Sequence, residues 1–279
     1  MSSVPLRLCG YFFDTHLEST ARPASPSIML LRPTILRFDS LPSTNTEAAR
    51  QAASGAPEGL CIVAREQTLG RGRQQRRWLS PPDAGLYFSI ILRPQFDTSR
   101  WPLITLMTAL SVADALAESY ALTVDIKWPN DIHAGGRKLC GILAEMIETQ
   151  AGRACVVGIG INLKEDALPA ELREVATSVE ALIGRAPDVE TLLSSLTRSL
   201  AQRYQRLQAQ GGADETLDEW CEHSSYAYGK RVRVTLDAEI IEGVTRGLEP
   251  DGALRVETEA REIKLIRAGD VTALRPAAT

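Results

Sequence analysis

Between Val124 and Leu163 the chain reads VDIKWPND, AGGR, KLCGILAEMIE and RACVVGIGINL, apolar runs joined by turns of a few residues. Parallel neighbours need a connection of a dozen residues or more, so this spacing permits only an antiparallel meander. The flanking pattern builds on that core. ILRFDSL (35–41) reads as a strand and Ser43 to Ser54 as a helix, with Thr44 and Glu47 at capping-box spacing and Gly55 ending it. CIVAREQ from Cys61 and GLYFSIILRP from Gly85 are further buried strands, the second stopped by Pro94. From Pro102 to Tyr120, Leu103, Leu106, Leu110, Ala113 and Leu116 recur at helical intervals and predict an amphipathic helix backing the sheet. Helical patterning returns over Asp188–Gln210 and Glu215–Glu222. KRVRVTL, EIIEGVTRGL, ALRVET and EIKLIRAGDVTALR then alternate as four short strands. The expected fold is α/β: a mixed, mostly antiparallel sheet with flanking helices over residues 34–226, and a small separate β-barrel over 229–279. Residues 1–33 lack periodicity and read as a loosely held extension, with Met29 as an alternative start.

A polar loop, GRGRQQRRW (70–78), joins two of the buried strands and concentrates four arginines in a chain of net charge −4. Charge runs are usually solvated surface. Here Gly70 and Gly72 let backbone approach a ligand, while Arg71, Arg73, Arg76 and Arg77 offer donor forks suited to phosphate and carboxylate. An anionic small molecule is the implied partner. The acidic balance argues against nucleic acid. Five cysteines, Cys9, Cys61, Cys140, Cys155 and Cys221, form no CxxC pair, which fits a reducing, cytoplasmic setting rather than a disulfide or zinc framework. No apolar run is read as a membrane span or signal core.

Other stretches are weighed against plainer roles. Ser43-Thr44-Asn45 opens a helix, where hydroxyls ordinarily cap, although a helix N-terminus can also hold a carboxylate. KWPND (127–131) sets a lysine and an acid beside a proline turn, where they could face magnesium and phosphate. Lys138, after a glycine turn, would ordinarily be solvated. GIGIN (158–162) lacks the third glycine and following helix of a dinucleotide fingerprint; its glycines suit close backbone approach to a flat ligand, with Asn162 at the strand's end. His16, His133 and His223 show no metal spacing, and GxSxG is absent, so metal-hydrolase and serine-hydrolase readings have no support.

Taken in order, STN, EQTLGRGRQQRRW, KWPND, RKLCGIL and GIGIN resemble the motif series of biotin protein ligases, from about residue 36 onward. The resemblance implies a catalytic domain akin to class II aminoacyl-tRNA synthetases followed by an SH3-like barrel. It implies activation of biotin with ATP and magnesium to biotinyl-5′-AMP, then transfer to one lysine of a biotin carboxyl carrier protein domain of a biotin-dependent carboxylase. By position it assigns Ser43, Thr44, Asn45, Gln67, Gly70, Arg71, Gly72, Arg73, Lys138 and Gly141 to biotin. Arg73, Arg76, Trp78, Lys127, Asn130, Asp131, Lys138 and Asn162 go to ATP, and Asp131 to magnesium; Lys138, Arg73 and Asp131 are the implied catalytic groups. The family loop usually runs GRGRxGRxW, and this chain has Gln75 where the later glycine would stand. A lipoate or octanoate ligase or transferase on the same fold is the alternative. Residues 1–33 show no DNA-recognition helix, so neither nucleic acid nor a membrane is an expected partner; a homodimer is one permitted assembly.

Overall fold

The computed structural model describes residues 31–236 and 239–273. Met29 and most of the N-terminal extension lie outside them, but Leu31 is buried in the core. Seven strands, β1 (Thr34–Leu41), β2 (Leu60–Gln67), β3 (Gly85–Leu92), β4 (Asp125–Lys127), β5 (Asp131–Ala134), β6 (Arg137–Thr149) and β7 (Gly152–Asn162), form one sheet in the order β1-β2-β3-β7-β6-β5-β4. Only β1 and β2 run parallel, linked by helix α1 (Thr44–Ala53). The meander is as expected except that KWPND is itself a hairpin turn between β4 and β5. The cap of α1 also differs by one residue. Ser43, not Thr44, is the N-cap and accepts from Thr46 N, while Glu47 pairs with Arg50.

Strand alternation divides the sheet into two faces. Val63, Phe88, Ile90, Val157, Ile159 and Ile142 point to a core shared with α2 (Pro102–Tyr120). Their neighbours Ile62, Ile91, Ala154 and Val156 point the other way, onto α1. On that second face Gly141, Leu143 and Glu145 of β6 and Gly158, Gly160 and Asn162 of β7 fall in register. The site is built there. Helix α2 is long and apolar enough by composition to cross a membrane, contrary to the reading that no such run exists, but most of its residues are buried inside the fold. It packs on α4 (Val189–Gln208) and α5 (Gly212–Glu222), which follow the short α3 (Val179–Ile183).

The C-terminal region holds five strands rather than four: β8 (Tyr228–Thr235), β9 (Ile240–Leu248), β10 (Leu254–Glu257), β11 (Ile263–Ile266) and β12 (Asp270–Ala273). Gly269, at φ +136°, breaks the last alternating segment in two. They form an antiparallel sheet ordered β11-β10-β9-β8-β12, whose two edge strands do not pair with each other. Nor is its interior separate. Val232, Val234, Leu254 and Val256 belong to the same apolar cluster as α2 and the large sheet.

Candidate active site

A cavity of about 290 Å³ opens on the α1 face of the large sheet, and two chemically different groups of side chains line it. The first group is neutral. Gln67 Oε1 accepts from Thr44 N at 2.8 Å, occupying one of the helix's free amides, and Gln67 Nε2 donates to Ser80 Oγ. Ser89 Oγ lies 2.7 Å from Thr44 Oγ1 and 2.6 Å from Asn45 Oδ1. Asn45 Nδ2 donates to Leu143 O and to Glu145. Ser43, Thr44 and Asn45 are almost fully buried, so this network is rigid.

The second group is charged. Lys138 Nζ lies 2.7 Å from Asp131 Oδ1, an ion pair whose alignment leaves that buried oxygen without a hydrogen bond. Arg73 donates to Asn130 Oδ1 at 3.1 Å, and burial pushes its guanidinium below the ordinary arginine range. Arg76 pairs with Asp270 of β12, and Arg71 with Glu145 at 2.6 Å. The arginine loop is a small hairpin: Gly72 N donates to Arg76 O, and Trp78 N to Gly70 O. Gln74 and Gln75 at its tip have φ of 53° and 60°, so Gln75 adopts the left-handed conformation for which glycine is best suited.

The GIGIN glycines Gly158 and Gly160 line the cavity and leave room for flat side chains beside it. A Cβ on Gly158 would land 2.1 Å from Asn45 Oδ1, and one on Gly160 would land 2.6 Å from the Trp78 indole. Trp78 thus lies across Gly160 and Gly141, its buried Nε1 unpartnered and Lys138 Nζ 5.4 Å from its ring centre. Asn162 spends an amide N–H on Thr177 O, tying the crossing segment 175–177 beside Lys138.

Two residues assigned by motif do not line the cavity. Gly70 closes the hairpin neck, where a Cβ would meet Trp78 O at 2.4 Å. Lys127 sits across from Asp131 in the β4–β5 ladder, its ammonium pushed below the ordinary lysine range by burial. The motifs also miss residues that matter to the geometry. Ser89 and Glu145 were legible as polar interruptions of apolar strands, FSIIL and GILAEMI. Asp270 was not, because its partner is 194 residues away.

Residues 37–162 match the Biotin/lipoate A/B protein ligase family, and residues 228–272 match the Biotin protein ligase C terminal domain. The Bifunctional ligase/repressor BirA of Bacillus subtilis is 34% identical over 244 residues, 85% of this chain and 73% of the relative. The chain belongs to the biotin protein ligase family. A second ligase, the Biotin--[acetyl-CoA-carboxylase] ligase of Mycobacterium tuberculosis, is 34% identical over 84% of this chain and 86% of its own length. Among solved structures, the biotin protein ligase from Aquifex aeolicus in complex with biotin and ATP superposes with a TM-score of 0.75 at 29% identity. That match covers 87% of this chain and 99% of the Aquifex chain. The ligase fold therefore comprises both the large sheet and the C-terminal one.

Proposed function

We propose that this ligase joins biotin to ATP as biotinyl-5′-AMP and passes the biotinyl group to a lysine of a carboxylase's biotin carboxyl carrier domain. The observation that carries this is the pairing, on one cavity, of a rigid neutral hydrogen-bonding network with a cluster of cations. The neutral network suits the ureido ring: with both Asn45 amide protons used and one lone pair of Oδ1 on Ser89, the second lone pair is left to accept a ring N–H. The cations suit the anions that must meet.

In the first step a carboxylate oxygen of biotin bonds to the α-phosphorus and the bond to the β-phosphate oxygen breaks, releasing pyrophosphate. Two anions have to approach, so catalysis is positioning and charge neutralisation. In this reading Lys138 bridges carboxylate and α-phosphate, while Arg73 and Arg76 hold phosphate oxygens. Among the described residues no three metal-binding side chains cluster, so a cation here would be completed by the nucleotide, as magnesium commonly is. The Asp131 carboxylate, ion-paired to Lys138 through Oδ1, would fit that donor set, and magnesium would neutralise charge on the phosphates. In the second step the carrier's lysine amine attacks the acyl carbon, the bond to AMP breaks, and the amine loses its proton. Covering the adenylate with the arginine loop excludes water meanwhile.

The thiols Cys61, Cys140 and Cys155 are buried, and burial pushes Cys61 up to about 12, so these thiols are poor nucleophiles and take no part in the proposed chemistry. Comparing biotin with lipoate in ATP–pyrophosphate exchange, followed by labelling of a carrier domain and its Lys→Arg variant, tests the reading. Exchange supported by lipoate and not by biotin would reject it.

A further inference from the structure

Glu145 belongs to no motif, yet its Oε2 is a meeting point. Asn45 Nδ2 donates to it at 2.8 Å, and Arg71 NH2 at 2.6 Å. A carboxylate accepts and cannot donate. It therefore fixes which way the Asn45 amide faces: the NH2 turns to β6, where Leu143 O takes the second proton, and the carbonyl oxygen turns to Ser89. Flipped, Asn45 would set its oxygen against two acceptors. The fixed amide has no room to rotate away, because Gly158 lies directly beneath it. The guanidinium on the same Oε2 opens the loop hairpin, one residue after its neck at Gly70.

We propose that Glu145 is a positioning residue for biotin: it holds Asn45 as an acceptor for a ureido N–H and anchors the covering loop through Arg71 on the same oxygen. Recognition of the ring and closure of the loop thus share one anchor. The inference rests on the biotin reading above. It singles out ligands with a ring N–H, so a lipoate-like ring gains nothing from Glu145.

The test is calorimetric titration of biotin into the parent protein, Glu145→Gln, Glu145→Ala, Arg71→Ala and the Glu145→Ala/Arg71→Ala double variant, with unfolding midpoints recorded for each. Pyrophosphate exchange is measured in parallel. Glu145→Ala should weaken biotin by about thirtyfold, from loss of a charge-assisted partner and of amide orientation. Glu145→Gln, which can still accept from Asn45, should weaken it by only about fivefold. The exchange kcat at saturating biotin should stay within about twofold, placing the effect in KM. In the double variant the losses should fall well short of additive, since the two residues share a contact. Folded Glu145→Ala binding biotin like the parent, or strictly additive losses, would overturn the proposal. A parent that binds no biotin would instead overturn the function on which it rests.

Discussion

Gly158→Ala tests the floor of the site with a single methyl group. Its Cβ would lie 2.1 Å from Asn45 Oδ1 and 2.8 Å from Asn45 Cγ. Ordinary contacts begin near 3.5 Å, so the amide must retreat by about 1.4 Å. A long side chain could swing aside; this one cannot. Asn45 is buried, both its amide protons are engaged, and its oxygen rests on Ser89. Retreat breaks a neutral hydrogen bond and a charge-assisted one, about 1 and about 2 kcal/mol, or shifts α1 against its packing at comparable cost. The expected destabilisation is about 2–4 kcal/mol, a fall in unfolding midpoint of about 5–12 °C. Biotin affinity should drop at least about a hundredfold. Gly160→Ala is the internal comparison: it displaces the Trp78 indole, which belongs to the loop rather than the core, so the midpoint should fall less. Scanning calorimetry and biotin titration read both effects. A Gly158→Ala protein with the parent's midpoint and affinity would refute the reasoning.

Lys138→Ala should cut adenylate formation by about 10²- to 10³-fold in pyrophosphate exchange, because it removes the cation proposed to sit where carboxylate and α-phosphate must meet. Near-normal exchange would contradict that role. Asp131→Asn keeps the side chain's shape and loses its charge, so half-maximal exchange should require more magnesium; superimposable magnesium titrations would remove Asp131 from the metal. Trypsin should cut quickly between Arg71 and Arg77 in the free protein, whose loop arginine pairs are mostly exposed, and slowly with biotin and MgATP. Equal cleavage with and without the ligands would return the loop to the class of solvated turns. Deleting residues 229–279 should give insoluble protein, since it uncovers core shared with α2; a soluble truncation with full kinetics would show that the two sheets are independent.

What the sequence makes legible is local. Helix α2 begins at Pro102, where proline suits a first turn, and its apolar spacing runs on to Tyr120. The meander follows from turn lengths alone. The helix cap shifted because Ser43 and Thr44 compete for one position, and spacing to Glu47 cannot weigh Thr44's other bond, to Gln67 across the sheet. The GIGIN glycines are legible only in part, for a similar reason. Spacing shows that something comes close to them, but not whether it is a ligand or the protein's own asparagine and tryptophan. Long-range pairs such as Arg76 with Asp270 depend on how two sheets meet and have no local signature.

Four of the cations around the cavity have side-chain partners within the protein: Arg71 has Glu145, Arg73 has Asn130, Arg76 has Asp270 and Lys138 has Asp131. Entry of an anion at these four positions is therefore an exchange, not a simple addition. A lone phosphate can displace one resident at a time and gains little net from each swap. A nucleotide reaches several positions from one tethered framework, so every further displacement is intramolecular and proceeds at high effective concentration. The site consequently discriminates by number of contacts made together, and abundant small anions compete poorly with ATP although each carries the right charge.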